Sequence, residues 1–359
     1  MKHSKTPTLC IMAGGTGGHV FPGIAIAHYL SQQGVRVCWL GTEGGMEQQW
    51  VQNAGIEFQA ISIKGLRGNG AKGWLQAPFN ILRAWSQARK ILKNYQASVV
   101  LGMGGFVCGP GGLAAKSLGL PLVLHEQNAI AGLTNKLLAP LATKIITAFD
   151  CQGLSGAKVQ KLGNPVRAGL EQIPVLTRTE PLSVLVLGGS RGAQALNLNL
   201  PAALALLPNK KLHVLHQSGE KGYQEAKQAY LNHTIPSHIQ IDLKSFIEDM
   251  NTAYEQADLV VCRSGALTVS ELMASARPAI MVPYPHAVDD HQTVNAQALV
   301  VMQGGEVISQ SDLNPELLGG ALQRWLEGHE QRHQASMNIR LNSPKGATEQ
   351  IGQCLLEIL

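Results

Sequence analysis

Short, nearly continuous apolar runs recur along the chain, and most of them end at glycine or at polar residues. They are LCIMAGG, VCWLGT, SVVLGMGG, LPLVLHEQN and TKIITAF in the first half, then LSVLVLGGS, LHVLHQSG, ADLVVCRSG and PAIMVPYP in the second. Such runs are typical of parallel strands that are covered on both faces. Stretches compatible with helices, such as IAIAHYLSQQG and ALTVSELMASA, separate them. This alternation predicts an α/β fold with doubly wound parallel sheets.

A strand followed by a glycine-rich turn occurs at residues 14–18 (GGTGG) and again, 174 residues later, at residues 188–192 (GGSRG). This internal similarity predicts two similar domains. The length of 359 residues supports this, because single hydrophobic cores usually stop growing below that size. Prolines and polar residues interrupt the strand–helix rhythm between residues 164 and 181, where we expect a linker. We therefore predict domains at residues 1–164 and 165–340, followed by a helical segment at 341–359.

The net charge of +5 conceals a difference between the two halves. Residues 1–164 carry 15 Lys and Arg against 5 Asp and Glu, whereas residues 165–359 carry 14 against 19. A basic half favours phosphorylated substrates, anionic lipid or nucleic acid. Because aromatic residues make up only 5% of the chain and no nucleic-acid-binding motif is recognisable, we expect no nucleic-acid partner.

The six cysteines form no CxxC pair and no Cys/His cluster at the spacing of metal ligands. We expect reduced thiols and no bound metal. The polar first residues lead directly into a strand-like run, and no apolar stretch is long enough to span a bilayer. These features predict a protein that is soluble or at most attached to a membrane.

The first glycine turn stands in LCIMAGGTGGHVFP, residues 9–22. Glycines between a strand and a helix leave backbone N–H groups uncovered, which suits phosphate or a closely bound sugar. Neither the G-x-G-x-x-G nor the G-x-x-x-x-G-K-[ST] pattern is present, so ordinary dinucleotide and P-loop sites are not indicated. A merely tight turn would explain the glycines equally well, but it explains His19 less well. At a helix start, His19 is a candidate general base, and the alternative is a histidine that only bonds a nearby carbonyl.

Further polar residues follow predicted strands, where ligands of such sheets collect. Residues 103–112 form another glycine-rich strand end, and His125, Glu126 and Asn128 come directly after a strand. In CRSGALTVSEL, an anion could bind at the helix start while Glu271 accepts two vicinal hydroxyls; the alternative is a solvated surface acid. Residues 283–296 carry amides and carboxylates that suit sugar hydroxyls, and adjacent Asp290 and His291 would point apart rather than share a metal.

Seven motifs in order, AGGTGGHVFP, GMGGFVCGPGG, LHEQNAIAGLTNK, GNPVR, GGSRGA, RSGALTVSEL and PHAVDDHQTVNA, resemble those of the bacterial peptidoglycan N-acetylglucosaminyltransferases. That family transfers N-acetylglucosamine from UDP-N-acetylglucosamine to undecaprenyl-diphosphate-N-acetylmuramoyl-pentapeptide, which converts lipid I into lipid II. The resemblance implies a GT-B fold of two Rossmann-like domains facing a cleft. The second would hold the donor, the first would hold the acceptor and face the membrane, and the C-terminal helix would cross back to the first.

The resemblance also implies the donor-binding residues of the first motifs. Gly15, Thr16 and Gly17 would meet the sugar and diphosphate side of the donor, and Asn128 would approach the N-acetylglucosamine. The diphosphate would be held by Arg167 and Ser190. Whether the charge of Arg191 joins the diphosphate or points to solvent is left open.

In the second half, the resemblance places the backbone of Ile247 against the uracil edge. Helix-start amides would bind phosphate and Glu271 the ribose diol, within the run Ala266, Leu267, Thr268, Val269, Ser270 and Glu271. Gln292 would contact sugar hydroxyls, with His291 and Asn295 as further candidates.

The chemistry implied by the resemblance is inverting transfer in one displacement, without metal or cofactor. His19 is the candidate base, and Glu126 and His125 are its rivals, which the sequence does not rank. Helix starts, Arg167 and Ser190 would stabilise the departing UDP.

A lipid-linked acceptor requires a membrane-facing surface, and residues 64–94 offer one. At helical spacing, one apolar ridge contains Trp74, Ile81, Trp85, Ala88 and Leu92, and a second contains Leu75, Phe79 and Leu82. Cations such as Lys72 lie beside the second ridge, as in peripheral proteins on anionic lipid. The alternative is that both ridges are buried. We expect a peripheral protein on the cytoplasmic face of the inner membrane, with cell-wall and division proteins as candidate partners.

Two competing functions stay open on the sequence alone. A UDP-N-acetylglucosamine 2-epimerase would use a similar donor pocket without a lipid acceptor, and should lack the surface at residues 64–94. A non-catalytic nucleotide-sugar-binding scaffold would not need His19.

Overall fold

The computed structural model describes residues 6–63, 70–177, 182–188, 193–208, 211–285, 287 and 290–359, with the backbone alone at 70–75 and 77. Within-chain contacts divide it into a first unit, Met1–Val166 with Gly346–Leu359, and a second unit, Arg167–Lys345. These divisions fall beside the predicted boundaries at 164/165 and 340/341. The chain therefore passes between the units twice.

The first unit is built on a parallel sheet whose described strands have the order β3-β2-β1-β4-β5-β6-β7. The strands are β1 Thr8–Ala13, β2 Arg36–Thr42, β3 Glu57–Ile61, β4 Val99–Gly104, β5 Leu122–Glu126, β6 Lys144–Thr147 and β7 Val159–Lys161. The helices, numbered in chain order, are α1 Gly17–Gln32, α2 Glu47–Asn53, α3 Gly70–Asn94, α4 Cys108–Ser117, α5 Leu133–Leu138 and α13 Ala347–Leu356.

Successive residues of β1 point to opposite faces of the sheet and enter different cores. Leu9 and Ile11 belong to a core shared with α1 and α13, and Cys10 and Met12 to one shared with α3 and α4. Apolar side chains are thus needed at residues 9–13 of β1, which explains its continuous apolar run. The predicted doubly wound α/β fold is confirmed in this unit.

The second unit contains a parallel sheet whose described strands have the order β10-β9-β8-β11-β12-β13. These strands are β8 Leu182–Leu187, β9 Leu212–Gln217, β10 Ile239–Lys244, β11 Leu259–Cys262, β12 Ala279–Met281 and β13 Gly305–Val307. The helices are α6 Gln194–Ala205, α7 Tyr223–Leu231, α8 Met250–Gln256, α9 Ala266–Ser275, α10 His291–Val300, α11 Pro315–Glu327 and α12 His329–Asn342. Residues of β8, β9 and β11 pack with α6 and α11 in one core.

Strand order reverses beside β1 and beside β8, because the chain first builds outward on one side and then returns to the other. Crossover helices diverge at such a point and leave the carboxyl ends of the two central strands uncovered. In the first unit these ends are the turns after β1 and β4. In the second unit they are the turns after β8 and β11.

Most of the predicted linker belongs to the second unit. Arg277 Nη1 donates to the Pro174 carbonyl oxygen at 3.0 Å, and Arg340 Nη1 donates to that of Glu171 at 2.6 Å. Asn251 Nδ2 donates to the Ala168 carbonyl oxygen at 2.7 Å. These bonds hold the backbone that follows Arg167 against the second unit, so the segment is not a free tether. Residues 178–181 of the predicted linker lie outside the described part of the chain.

Helix α3 covers the sheet with one face and exposes apolar residues on another. Ala88 and Leu92 are buried in the core, whereas Phe79 is 78% and Leu82 is 60% exposed. The alternative in which both ridges are buried is therefore wrong for Phe79 and Leu82. The side chains of Lys72 and Leu75 lie outside the description. Among the described helices, none has the length and apolar character of a transmembrane span.

Helix α13 completes a core that begins near the start of the chain. Ile351 and Leu355 are buried beside Ile11 and residues of α1. A Cβ atom on Gly352 would lie 2.3 Å from the Tyr29 ring, so only glycine permits this close approach.

We expect Ile351→Ala to lower the free energy of unfolding of the first unit by about 2–5 kcal/mol, because it leaves a cavity in a closed core. Urea unfolding followed by circular dichroism measures this loss. Leu341→Ala in α12 is the control, since Leu341 is exposed. Equal effects of the two substitutions would contradict the assignment of α13 to the core of the first unit.

Candidate functional site

The turns after β1 and β4 are in close backbone contact in the first unit. The Gly14 amide donates to the Gly104 carbonyl oxygen at 3.3 Å. A Cβ atom on Gly105 would lie 2.5 Å from the Gly14 carbonyl oxygen, and Gly105 has a φ of +87°. Glycine is therefore required for both space and backbone conformation.

His19 lies in the first turn of α1 and packs its ring over Gly104. A Cβ atom on Gly104 would come within 2.9 Å of His19 Cδ2 and Nε2. His19 Nδ1 lies 3.4 Å from the Gly14 carbonyl oxygen. If Nδ1 carries the proton toward this carbonyl, Nε2 carries the lone pair, which is the form that a general base needs.

The start of α1 presents backbone donors beside His19. Thr16 is the N-cap residue with φ −92° and ψ 158°, and its side chain makes no capping bond. Among the described residues, no acceptor pairs with the amides of Thr16, Gly17 or Gly18. These three amides and the Thr16 hydroxyl can bind the oxygen atoms of a sugar or a phosphate.

A buried carboxylate that the sequence analysis did not identify fixes this turn. Glu47 Oε1 accepts from the Thr42 amide at 2.8 Å, and Oε2 accepts from the Gly15 amide at 3.3 Å. A Cβ atom on Gly45 would lie 2.2 Å from Glu47 Oε2, so only glycine leaves room for the carboxylate. In the described part of the chain no Lys or Arg pairs with Glu47. Backbone amides stabilise its buried charge instead, so Glu47 fixes the position of the Gly15 turn.

His125, one rival for the role of base, is enclosed by hydrogen bonds. Nε2 lies 3.1 Å from the Gly163 carbonyl oxygen, and Gln127 Nε2 lies 3.0 Å from Nδ1. Burial lowers the pKa of His125 to about 4. The ring is therefore neutral near pH 7, with Nε2 donating and Nδ1 accepting.

Glu126, the other rival, organises the loop that follows β5. Oε1 accepts from the amide and side chain of Asn128 at 3.0 and 3.3 Å. Oε2 accepts from the Gly132 amide at 3.0 Å and from Asn135 Nδ2 at 2.8 Å. Because four donors converge on one carboxylate, Glu126 positions the predicted ligand residue Asn128. The role of Asn135 was not anticipated.

In the second unit, Glu271 and Arg167 form an ion pair. Arg167 Nε donates to Glu271 Oε1 at 2.8 Å, and the side chains are 44% and 7% exposed. Burial raises the pKa of Glu271, and the neighbouring Arg167 opposes this rise. Tyr254 donates its hydroxyl to Glu271 Oε2 at 3.1 Å. The alternative of a solvated surface acid is therefore wrong.

The start of α9 lies one turn before Glu271. Gly265 is the N-cap residue, and no side chain caps the helix. Among the described residues, no acceptor pairs with the amides of Ala266, Leu267 or Thr268. Three donors at the positive end of a helix dipole form an anion site when a ligand is present. The side chains of the next two residues in the predicted run, Val269 and Ser270, are buried.

Arg263, which the sequence analysis did not single out, ties the turn before α9 to the loop before α10. Its Nη1 donates to the Val282 and Pro283 carbonyl oxygens, both at 3.1 Å. In that loop the Tyr284 amide donates to Gln292 Oε1 at 3.0 Å, which orients the Gln292 side chain. Arg263 thus links the position of Gln292 to that of α9.

The remaining predicted residues differ in how far the structure describes them. Ile247 lies between β10 and α8, and its N–H and C=O groups pair with no described residue. His291 begins α10, and buried Asn295 donates to the Ser264 carbonyl oxygen at 3.3 Å. Ser190, Arg191 and Asp289 lie outside the described residues. Within the description, no three His, Cys, Asp or Glu side chains could together hold a metal ion.

His125 makes the stability of the first unit depend on pH. Its folded pKa of about 4 lies below the ordinary value near 6.5, so the unfolded chain binds more protons between these values. The stabilising contribution is complete above pH 6.5 and is lost as pH falls toward 4, by up to about 3 kcal/mol.

We therefore expect the stability advantage of the wild type over His125→Gln to shrink over this range in urea unfolding. His28→Gln is the control, because His28 is exposed. An advantage that stays constant from pH 7 to pH 4 would contradict a buried neutral imidazole.

Comparison with known proteins matches each unit to a domain of one family. Residues 9–147 match the glycosyltransferase family 28 N-terminal domain, and residues 183–351 match the family 28 C-terminal domain. A protein of Hydrogenovibrio crunogenus named UDP-N-acetylglucosamine--N-acetylmuramyl-(pentapeptide) pyrophosphoryl-undecaprenol N-acetylglucosamine transferase is 57% identical over 351 residues, which cover 98% of each chain. A protein of the same name in Psychromonas ingrahamii is 46% identical over 354 residues, again 98% of each chain.

The crystal structure of Acinetobacter baumannii MurG superposes with a TM-score of 0.84 at 36% identity, covering 98% of this chain and 99% of the other. The GT-B fold class implied by the resemblance is thereby confirmed. A putative UDP-N-acetylglucosamine 2-epimerase from Listeria monocytogenes shares the fold, with a TM-score of 0.67 at 13% identity over 98% of this chain and 96% of the other. The chain belongs to glycosyltransferase family 28 and, within it, to the UDP-N-acetylglucosamine--N-acetylmuramyl-(pentapeptide) pyrophosphoryl-undecaprenol N-acetylglucosamine transferases.

Proposed function

We propose that this glycosyltransferase moves N-acetylglucosamine from UDP-N-acetylglucosamine to the C4 hydroxyl of undecaprenyl-diphosphate-N-acetylmuramoyl-pentapeptide, converting lipid I into lipid II. The observation that carries the proposal is the 57% identity, over 98% of both chains, to a relative named for this transfer. The site chemistry supports it, because both units present helix-start amides that pair with no described residue, and each presents polar side chains beside them.

The donor binds to the second unit in this proposal. The amides of Ala266, Leu267 and Thr268 donate to the diphosphate at the start of α9, and Arg167 adds a positive charge. Ser190 donates to the same diphosphate. Glu271 accepts the ribose hydroxyls, one turn along α9.

The other ends of the donor meet separate loops. The backbone N–H and C=O groups of Ile247, which pair with no described residue, bind the uracil edge. Gln292 binds sugar hydroxyls through its Nε2 amide group, since its Oε1 already accepts from the Tyr284 amide. Gly15, Thr16, Gly17 and Asn128 of the first unit are further proposed ligands of the sugar.

His19 is the proposed base. Its ring is partly exposed at the start of α1, whereas both nitrogens of His125 and both oxygens of Glu126 already take part in hydrogen bonds within the first unit. A group that holds a loop in place by four bonds is poorly suited to accept and release a proton during turnover. His125 and Glu126 therefore position the loops around the acceptor.

The reaction is a single displacement with inversion. The C4 oxygen of N-acetylmuramic acid forms a bond to the anomeric carbon while His19 removes the hydroxyl proton, and the bond from that carbon to the UDP oxygen breaks. The electron pair leaves on the β-phosphate, where the α9 amides, Arg167 and Ser190 stabilise the charge. These donors supply the stabilisation that a divalent ion would otherwise give, so the proposed transfer is independent of metal.

The lipid-linked acceptor explains the exposed ridge of α3. Phe79 and Leu82 insert into the headgroup boundary of the cytoplasmic face of the inner membrane, in this proposal. Exposed Arg83, Lys90 and Lys93 follow on the same helix and attract anionic lipid. The protein is accordingly proposed to be peripheral.

The function is tested by transfer of labelled N-acetylglucosamine to a short-chain lipid I analogue in the presence of EDTA. We expect a β1,4-linked product from the wild type. His19→Ala should lower kcat by about 100-fold to 10,000-fold, the usual contribution of a general base, with UDP affinity unchanged. Glu271→Ala should instead weaken UDP binding.

A folded wild type that binds UDP but forms no product, even when EDTA is left out, would overturn the transferase proposal and favour the 2-epimerase reaction. Retained turnover in His19→Ala would move the role of base to another group. Product that disappears with EDTA would remove the claim of metal independence alone.

The membrane surface is tested by sedimentation with vesicles of phosphatidylglycerol and phosphatidylethanolamine. We expect Phe79→Ser together with Leu82→Ser to weaken binding by on the order of tenfold or more, since two apolar side chains lose their insertion. Leu231→Ser in α7 is the control, because Leu231 is 71% exposed but lies in the second unit. Equal loss with the control, or no loss with the double variant, would rule out this surface.

A further inference from the structure

Tyr254 is a fully buried residue of α8 whose hydroxyl has one partner in the described part of the chain. It donates to Glu271 Oε2 at 3.1 Å, while Arg167 Nε donates to Glu271 Oε1 at 2.8 Å. The carboxylate is therefore held from two directions, with one donor on each oxygen. The sequence motifs around Glu271 gave no indication of Tyr254, which precedes it by 17 residues.

Burying a hydroxyl raises the free energy of the folded state unless the hydroxyl is hydrogen-bonded. If packing alone mattered, phenylalanine would fill the same space in α8 without this desolvation penalty. Burial also raises the pKa of Tyr254 well above its ordinary value, which keeps the phenol protonated and able only to donate to the carboxylate. Burial raises the pKa of Glu271 as well, and donors to its oxygens favour the charged form. Tyr254 thus helps to keep an ionised acceptor at this position.

The acceptor positions of the Glu271 carboxylate indicate which ligand groups it can bind. An ionised carboxylate offers about four lone-pair sites, two on each oxygen. Among the described residues, Tyr254 and Arg167 occupy one site on each oxygen and no other donor reaches the Glu271 carboxylate, so one site on each oxygen remains for a ligand. Two vicinal hydroxyls, as on a ribose, match that arrangement.

We propose that Tyr254 is a positioning residue that acts through Glu271 and makes the second unit selective for ribonucleoside over 2′-deoxyribonucleoside diphosphates. This inference rests on the proposed role of Glu271 at the donor ribose. A 2′-deoxy ligand leaves one buried acceptor site without a partner, which weakens binding by on the order of tenfold to a hundredfold. Without the Tyr254 hydroxyl the carboxylate can turn, and the penalty for the missing 2′-hydroxyl decreases.

The test measures binding of UDP and 2′-deoxy-UDP to the full chain by isothermal titration calorimetry. For Tyr254→Phe we expect UDP affinity to fall by on the order of tenfold, 2′-deoxy-UDP affinity to fall less, and the ratio of the two to decrease toward one. Tyr230→Phe is the matched control, because the Tyr230 hydroxyl lies 3.0 Å from His216 Nδ1 in the same unit and makes no bond to Glu271 in the described contacts. Both affinities should stay within about twofold of the wild type in this control.

The outcomes separate the inference from the function on which it rests. Equal wild-type affinity for UDP and 2′-deoxy-UDP would remove Glu271 from the ribose and overturn that part of the proposed function. A wild type that discriminates, with the same ratio in Tyr254→Phe, would overturn the role of Tyr254 and leave the ribose assignment intact.

Two further measurements keep the inference open to refutation. Because Tyr254 acts through Glu271, the double variant Tyr254→Phe with Glu271→Gln should show the same ratio as Glu271→Gln alone, and a further decrease would contradict this route. If circular dichroism shows Tyr254→Phe to be unfolded, 3-fluorotyrosine at residue 254 retains the ring and makes the hydroxyl a stronger donor. An unchanged UDP to 2′-deoxy-UDP ratio in that protein would overturn the proposal.

Discussion

The reversal of strand order beside β1 and β8 determines which edge of each sheet is open to a ligand. At these two places the crossover helices diverge, so the turns after the central strands are not covered by the next helix. The glycines at positions 14, 104 and 105 let two such turns approach each other closely in the first unit. The amides at the starts of α1 and α9 lie after these central strands, and no described residue pairs with them.

Three buried carboxylates give the site loops their shape. Glu47 holds the Gly15 amide, Glu126 gathers four donors from its own loop and α5, and Glu271 is held by Arg167 and Tyr254. A buried charge is tolerated only where donors surround it, so each carboxylate fixes the backbone or side chains that supply those donors. These three acidic residues therefore act on the geometry of their loops, and in the proposed mechanism proton transfer is left to His19.

Periodicity predicted the central strands because both of their faces are buried, and apolar runs such as that of β1 follow directly. The described strands that it missed, β3, β7, β10 and β13, all lie at sheet edges, where polar residues are accommodated. Motifs located His19, Glu126 and Glu271, since Glu126 ends strand β5 and the other two lie in helices that follow β1 and β11. Glu47 and Tyr254 could not be found this way, because their significance depends on partners far along the chain. For Glu126 the motif gave the position, but its four donors were visible only in the fold.

The return of α13 to the first unit has a consequence for the order of synthesis. The core that contains Ile11 also needs Ile351 and Leu355, which leave the ribosome only after all of the second unit. The first unit is therefore the first to be synthesised, but its core is the last to be completed. Its sheet must persist without α13 while about half of the chain is still being translated. Over that interval the surface that α13 later covers is exposed to chaperones and to neighbouring nascent chains.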